Sequence, residues 1–383
     1  MIHNRPGRWR RLALVASLCM LATACTGGQQ PFRPSYPQSG LSIAAPISPR
    51  PNIVFILTDD LSMNLLPYMP HVQALALRGM TFKDYFVVDS FCCPSRASIF
   101  TGQYPHDTGV FTNGGADGGY AGYNHFGNPP KSFAIGLRRA GYRTGFMGKY
   151  FNGYDPRFKP APGWDTWFGV GDGYRAFDYW VNDDGKRTHY GSRPQDFLNS
   201  VMTTKASNFI ESARGAGKPF ALELATFSPH KPYAAAPRDV GTFPTVTAPR
   251  GPAFGRAPAN APAWLQWMPR FTASDVQSLD LAFRQRVESV QSVDRMIEEL
   301  ERELIKTGEL RNTYFVFSSD NGLHLGEHRM LAGKTTAFDT DIKVPLIVAG
   351  PGVPAGSTVS AMASSIDLAP TFLQIAGARP TDR

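Results

Sequence analysis

Asn52-Ile53-Val54-Phe55-Ile56-Leu57-Thr58-Asp59-Asp60 runs apolar for most of its length and ends in two carboxylates. A short unbroken run of β-branched, aromatic and aliphatic residues is the pattern of a strand covered on both faces, as in a parallel sheet. Open α/β sheets bind their ligands at the carboxyl ends of such strands, which is where Asp59 and Asp60 stand. Read in isolation, Thr58 or Asp59 serves equally well as a helix N-cap with a first-turn acid.

The same pattern recurs outward along the chain. Arg143 to Met147 reads as a strand ending in Gly148-Lys149-Tyr150, and Pro219 to Thr226 as another, followed by Ser228-Pro229-His230-Lys231-Pro232. Thr313 to Ser318 leads into Ser319-Asp320-Asn321-Gly322-Leu323-His324, and the strand Val344 to Val348 follows Gly333-Lys334-Thr335. Between them lie helical patterns over Met69–Arg78, Phe133–Ala140 and Asp367–Ala376. One long amphipathic helix carries the stripe Phe283, Val287, Val290, Val293, Ile297, Leu300 and Leu304, which reads as core; Ser274-x-x-Gln277 resembles its capping box. Gly114 to Gly127 reads as a loop. Thr242 to Pro269 is an irregular excursion dense in Pro, Ala and Gly, with Trp264 and Trp267 near its end, packed over the domain at the pocket. The alternation argues a layered α/β fold with a largely parallel sheet. Singly, the polar strand ends are unremarkable: a lysine there is usually solvated, and a histidine between prolines is more often structural.

A strand over Phe82–Val88 leads into Ser90-Phe91-Cys92-Cys93-Pro94-Ser95-Arg96-Ala97-Ser98-Ile99-Phe100-Thr101-Gly102. Pro94 suits a first helical turn, where its missing N–H costs nothing. That places Cys92 at a helix N-terminus, where backbone N–H groups favour an anion, and Arg96 adds a fork of charged donors. The segment reads as an anion cradle with a cysteine at its lip. The competing reading is a buried cysteine pair capping a helix.

The 383 residues suffice for one large core. The net charge is +8; subtracting Arg5, Arg8, Arg10 and Arg11, which lie in the first 25 residues, leaves +4, too mild to argue for nucleic acid. Residues 1–25 read as an export signal: an Arg-rich start, an apolar run from Leu12 to Ala22 too short to span a membrane, then Ala22-Thr23-Ala24-Cys25. Cys25 after small residues resembles a bacterial lipobox, which would anchor the protein to the membrane by a lipid; Ala22-x-Ala24 equally suits an ordinary signal-peptidase site. Residues 26–50 read as a flexible linker and 51–383 as one folded domain. Cys19, Cys25 and the adjacent Cys92 and Cys93 make no disulfide framework. The expectation is a bacterial exported protein, lipid-anchored in the envelope or secreted.

Cys92-x-Pro94-x-Arg96, continued to Thr101-Gly102, resembles the signature of the type I sulfatases. Asp59-Asp60 and Asp320-Asn321 match that family's metal-ligand motifs, and Lys149, His230 and Lys334 match its substrate-contacting positions. The resemblance implies an alkaline-phosphatase-like layered α/β fold, its largely parallel mixed sheet lying between helices. It implies that a formylglycine-generating enzyme oxidises Cys92, not Cys93, to formylglycine, and that one Ca²⁺ is held by Asp59, Asp60, Asp320, Asn321 and an oxygen of residue 92. It further implies covalent catalysis on a sulfate ester, with Arg96, Lys149 and Lys334 neutralising sulfuryl oxygens and His230 or Lys334 protonating the leaving alcohol.

Cys92-Cys93-Pro94-Ser95-Arg96, Gly148-Lys149-Tyr150-x-Asn152, Thr307-Gly308-Glu309-Leu310 and Asp341-Ile342-Lys343-Val344-Pro345 look most like N-acetylglucosamine-6-sulfatases, which makes a sulfated sugar or glycan the implied substrate. Two departures stand out. Many sulfatases have a base histidine two residues after the lysine, where this chain has Phe151; His324, three residues past Asn321, is the candidate base instead. The family's small C-terminal subdomain would begin about where the sequence ends at Arg383, so either that part is dispensable here or the sequence is truncated. Two other readings compete: a phosphonate or phosphodiester hydrolase of the same superfamily, and a catalytically inactive glycan-binding lipoprotein on the same scaffold.

Overall fold

Every residue of the strand Asn52–Thr58 (β1) is buried, and its side chains divide between two cores. Val54 and Ile56 join one, and Ile53, Phe55 and Leu57 the other, which is why the run carries no polar alternation. The computed structural model describes residues 50–378; the expected export signal, Cys25 and all but the last residue of the linker lie outside that range.

In chain order the further strands are β2 (Met80–Phe82), β3 (Tyr85–Phe86), β4 (Arg143–Lys149), β5 (Thr166–Val170), β6 (Tyr179–Asp183), β7 (Lys186–Tyr190), β8 (Phe220–Ala225), β9 (Thr313–Ser319), β10 (Leu346–Ala349), β11 (Ser357–Val359) and β12 (Ala363–Ser364). Ten form one sheet in the order β11-β2-β10-β9-β1-β8-β4-β5-β6-β7. The central five, β9-β1-β8-β4-β5, are parallel, whereas β10, β6 and β7 run antiparallel to their inner neighbours. The sheet is therefore the largely parallel, mixed one expected. One face is covered by helices Pro70–Arg78, Leu198–Gly215 and Ala273–Lys306, the other by Cys92–Thr101, Phe133–Arg139 and Leu368–Ile375.

Local boundaries depart from expectation for identifiable reasons. The strand read over Phe82–Val88 breaks at Lys83-Asp84, because β2 belongs to the large sheet while β3 pairs with β12 in a separate two-stranded sheet. The Gly114–Gly127 segment holds a helix, Gly119–His125, whose Tyr123 stacks on Phe151. The long helix is capped two residues earlier than expected: Thr272 Oγ1 accepts from the Asp275 N–H, and Asp275 Oδ2 accepts from the Thr272 N–H. Within the same helix Asp294 accepts from the N–H groups of His71 and Val72, closing the open amino end of the Pro70–Arg78 helix. Among the described residues no helix is long and apolar enough to cross a membrane.

Candidate active site

The parallel order brings the carboxyl ends of β1, β4, β8 and β9 side by side, and the polar ends of all four meet the helix that begins at Cys92. Asp59 and Asp60 leave β1, Lys149 ends β4, His230 follows β8, and Asp320 with Asn321 follows β9. Asp60 takes the left-handed conformation at φ +65°, a strain that a short polar side chain tolerates better than most. Gly148 is required by a close approach: a Cβ there would lie 1.9 Å from the Ala225 carbonyl oxygen, and its φ is +115°.

Cys92 lies at the centre, with no exposure. Its Sγ is 3.4 Å from Asp59 Oδ1 and 2.7 Å from Lys334 Nζ. The same ammonium lies 2.5 Å from Asp60 Oδ1 and 3.4 Å from Asn321 Oδ1. Lys149 Nζ donates to Asp59 Oδ2 at 2.5 Å. Arg96 is wholly buried, donating from Nε to Asp320 Oδ2 at 2.8 Å and from Nη1 to the Lys149 carbonyl at 2.8 Å. The other oxygen of Asp320 accepts from the Asp60 N–H at 3.2 Å. His230 stands at the open side, its Nε2 3.6 Å from Asp60 Oδ2. Its Nδ1 is 2.6 Å from the Lys231 carbonyl. A carbonyl only accepts, so the proton belongs on Nδ1 and Nε2 faces the site.

Burial and charge oppose each other throughout. Burial works to raise the Asp59 carboxyl, but Lys149, aided by His230 and Arg96, holds it at about 2. Burial works to depress Lys149 and Lys334, yet Asp59 in the first case and Asp60 in the second keep both ammonium groups firmly charged. Burial, then Asp59, pushes the Cys92 thiol well above its ordinary value. A thiol so held is a poor nucleophile as it stands. Only His230 and Lys334 reach solvent appreciably, with side chains 25 % and 12 % exposed. The floor is thus a fixed array of charge, with His230 and Lys334 at its mouth.

The oxygen donors of the site, Asp59, Asp60 and Asn321, suit a hard cation. Asp59, Asp60, Cys92 and His230 offer ligand atoms within 4.8 Å of one another. The Lys334 ammonium, seated among Asp60 Oδ1, Asn321 Oδ1 and Cys92 Sγ, marks a place where these groups accept positive charge. Asp320 adjoins this set through the Asp60 amide while its carboxylate bonds Arg96.

His324 lies apart from that cluster of donors. Both oxygens of Asp341 are 3.0 Å from its Nδ1, which leaves Nε2 for the cavity that His324 shares with Lys334. Phe151 is buried in the aromatic core, its ring 4.2 Å from that of Tyr123. Three neighbours of the site carried no role in the sequence reading. Tyr174 places its ring 5.2 Å from Lys149 Nζ and 4.6 Å from the His230 ring. Asn152 bonds both Cys93 Sγ and the Tyr174 hydroxyl. Arg286, fully buried in the long helix, donates to the Asp60 carbonyl at 2.6 Å and to Ser62 Oγ at 2.9 Å. Its signal was visible: a charged residue at the apolar spacing between Phe283 and Val290.

Comparison with known proteins follows the same groups. A protein-family model described as Sulfatase matches residues 51–378. The chain is 37 % identical over 341 residues to the N-acetylglucosamine-6-sulfatase of Homo sapiens, covering 86 % of this chain and 61 % of that protein. It is 27 % identical over 424 residues to the N-acetylglucosamine-6-O-sulfatase of Bacteroides thetaiotaomicron, covering 90 % and 72 %. The chain thus spans about three-fifths of the length of the human relative. Among solved structures, one of a protein in complex with its substrate D-glucosamine-2-N,6-O-disulfate superposes with a TM-score of 0.74 at 25 % identity, over 86 % of this chain and 77 % of that one. The phosphonate monoester hydrolase of Agrobacterium radiobacter shares the fold, at TM-score 0.64 and 21 % identity over 86 % and 74 %. Because the family match runs unbroken from β1 to the last described helix, and so through each strand end that borders Cys92, this chain belongs to the sulfatase family.

Proposed function

We propose that the protein hydrolyses a sulfate ester on a sugar, with residue 92 matured from cysteine to formylglycine and one Ca²⁺ held by Asp59, Asp60, Asp320 and Asn321. The observation that carries this reading is the convergence of Lys149, Lys334 and Arg96 on the buried space around Cys92 and the Asp59-Asp60 pair. Three permanent cations at one thiol and two carboxylates make a receptor for a tetrahedral anion. The likeness to glucosamine 6-sulfatases supports a sulfated hexosamine as the substrate.

The matured residue would supply the nucleophile at sulfur, and the ion would share the charge of the sulfuryl oxygens. The chain's own groups do the rest. Lys149 and Lys334 hold the anion in line, each such donor being worth about 3–4 kcal/mol when charge builds up in the transition state. Arg96 fixes the Asp320 carboxylate and the Lys149 backbone, so that neither turns when substrate enters. The leaving oxygen departs toward the open side and takes its proton from Lys334 Nζ, or from His230 when its Nε2 carries a second proton beside that on Nδ1. His324, oriented by Asp341, is the group we assign as base for the later proton.

The test is mass spectrometry of the peptide spanning Ser90–Arg96, from protein made together with a formylglycine-generating enzyme, coupled to sulfate release from N-acetylglucosamine 6-sulfate with Ca²⁺. An aldehyde at residue 92 and free sulfate are expected. An unmodified thiol under those conditions, or inertness of matured protein toward every sulfate ester, removes the proposal. Phosphonate hydrolysis is the second reading, favoured by the shared fold. Asn321 opposes it, since such enzymes tend to carry histidine there, and paired assays on aryl sulfate and aryl phosphonate separate the two.

A further inference from the structure

A cavity of about 430 Å³ opens beside Lys334, walled by side chains from the proline-rich excursion and from the turn after His324. Trp264, Met268, Phe271 and Leu331 give it apolar walls, and Trp264 is 53 % exposed. Arg329 adds a guanidinium. It is the only arginine of the lining, and among the described residues it makes no ion pair with any carboxylate. Its Nε and Nη1 make only long contacts, both 3.4 Å, to the carbonyls of Gly255 and Met268. The acid of the lining, Asp275, is committed elsewhere, capping Thr272 through its N–H and hydroxyl.

The backbone presents Arg329 deliberately. His328 and Arg329 both take left-handed conformations, at φ +55° and +63°, in a turn closed by the Gly326 N–H to Met330 carbonyl bond of 3.0 Å and anchored by the His328 N–H on Ala253. Two such residues in succession are costly and persist where the surroundings impose them. The result is an unneutralised fork of donors at one side of a cavity whose other side is Lys334, already 2.7 Å from Cys92 Sγ. A planar fork without a carboxylate suits an anionic oxygen group on a ligand. Flat aromatic walls beside polar edges suit a pyranose ring, which has apolar faces and a polar rim.

We propose that this cavity seats the sugar bearing the ester, with Trp264 against a ring face, and that Arg329 pairs with a second anionic group, sulfate or carboxylate, carried by the substrate. This rests on the sulfate-ester reading above and adds to it a preference for multiply charged sugars. The test compares kcat/KM of matured protein on a hexosamine 6-sulfate with that on the same sugar N-sulfated at the 2-amino group, and on a 6-sulfated disaccharide containing a uronic acid. The wild type favours at least one doubly charged substrate, and Arg329→Gln lowers that ratio about tenfold, through KM. Arg329→Lys recovers part of it, which separates a charge effect from misfolding. The arm that responds tells sulfate from carboxylate. Ratios unchanged by Arg329→Gln in both arms overturn the proposal. Should no sugar be turned over, titration of Cys92→Ser with the same three sugars reads the pairing directly: affinities indifferent to the second charge overturn it even then, and a preference that Arg329→Gln abolishes supports it.

Discussion

Arg96 and Asp320 are both withdrawn completely from solvent and face each other with Nε 2.8 Å from Oδ2. Two charges so placed lose much of their hydration, and for each the other is the charged partner that offsets the loss. The guanidinium also reaches the Lys149 carbonyl, so one side chain ties the ends of β4 and β9 to the Cys92 helix. Removing one partner strands the other.

Arg96→Ala is therefore expected to cost about 3–5 kcal/mol of stability as well as activity. Arg96→Met combined with Asp320→Leu is expected to recover a large part of that stability while remaining inactive. Denaturant unfolding of the three proteins checks this. A single substitution no worse than the double one would mean that the pair is not the source of the loss.

The Asp59-Asp60 side of the site gives a prediction about metal. Stripping divalent ions with a chelator leaves these carboxylates the two lysines as their nearest counter-charge. An ion that binds the folded chain and not the unfolded one raises the melting temperature with its concentration. Chelation is expected to lower the melting temperature and sulfate release together, with Ca²⁺ restoring both and Asp60→Asn abolishing the response. Melting curves that superpose with and without Ca²⁺ would remove the ion from the site.

Arg286 holds the Asp60 carbonyl from the opposite side of the sheet, 226 residues away in sequence, and its guanidinium touches no proposed substrate position. It fixes the one left-handed aspartate of the site. Arg286→Gln is expected to lower kcat by about ten- to a hundredfold, as small misplacements of reacting groups do. A positioning role also predicts that Ca²⁺ affinity falls in the same variant. Unchanged affinity, measured by calorimetry on the Cys92→Ser background, would reduce Arg286 to a packing residue.

That residue also shows what was legible in the sequence. The parallel centre of the sheet could be read because β1, β8 and β9 are buried on both faces and lose their alternation, and their polar ends then had to lie together. The edge hairpin β6–β7 was not read, since one side of it is wet: Trp180 is exposed, as are Lys186 and Arg187. Asp59, Asp60 and Asp320 could be singled out because they follow strand ends, whereas Lys149 and Lys334 became candidates only through the resemblance to sulfatases. Tyr174 and Arg286 were not singled out, because they reach the site from a loop and from a helix whose apolar stripe already explained its sequence. Nothing in a linear pattern marks Arg329 either, whose role depends on a turn meeting the excursion that carries Trp264.

Glu223 supplies the remaining prediction. It lies in the middle of β8, opposite Phe55 of β1 and Phe146 of β4, buried, with neither carboxyl oxygen bonded. Burial pushes its pKa up to about 8, with Arg96 pulling weakly the other way. Unfolded, the same group titrates near 4.5, so between these values the folded chain keeps a proton that the unfolded chain releases. Stability from this group is whole below about pH 4.5 and is lost as pH rises toward 8, at about 1.4 kcal/mol for each unit traversed. Glu223→Gln keeps the shape and removes the titration. It is expected to leave stability at pH 4.5 little changed, to raise it at pH 7.5, and to flatten the slope between. Denaturant midpoints across that range decide the matter, since a wild type and variant that stay parallel from pH 4.5 to 8 would mean that Glu223 finds a partner for its charge inside the fold.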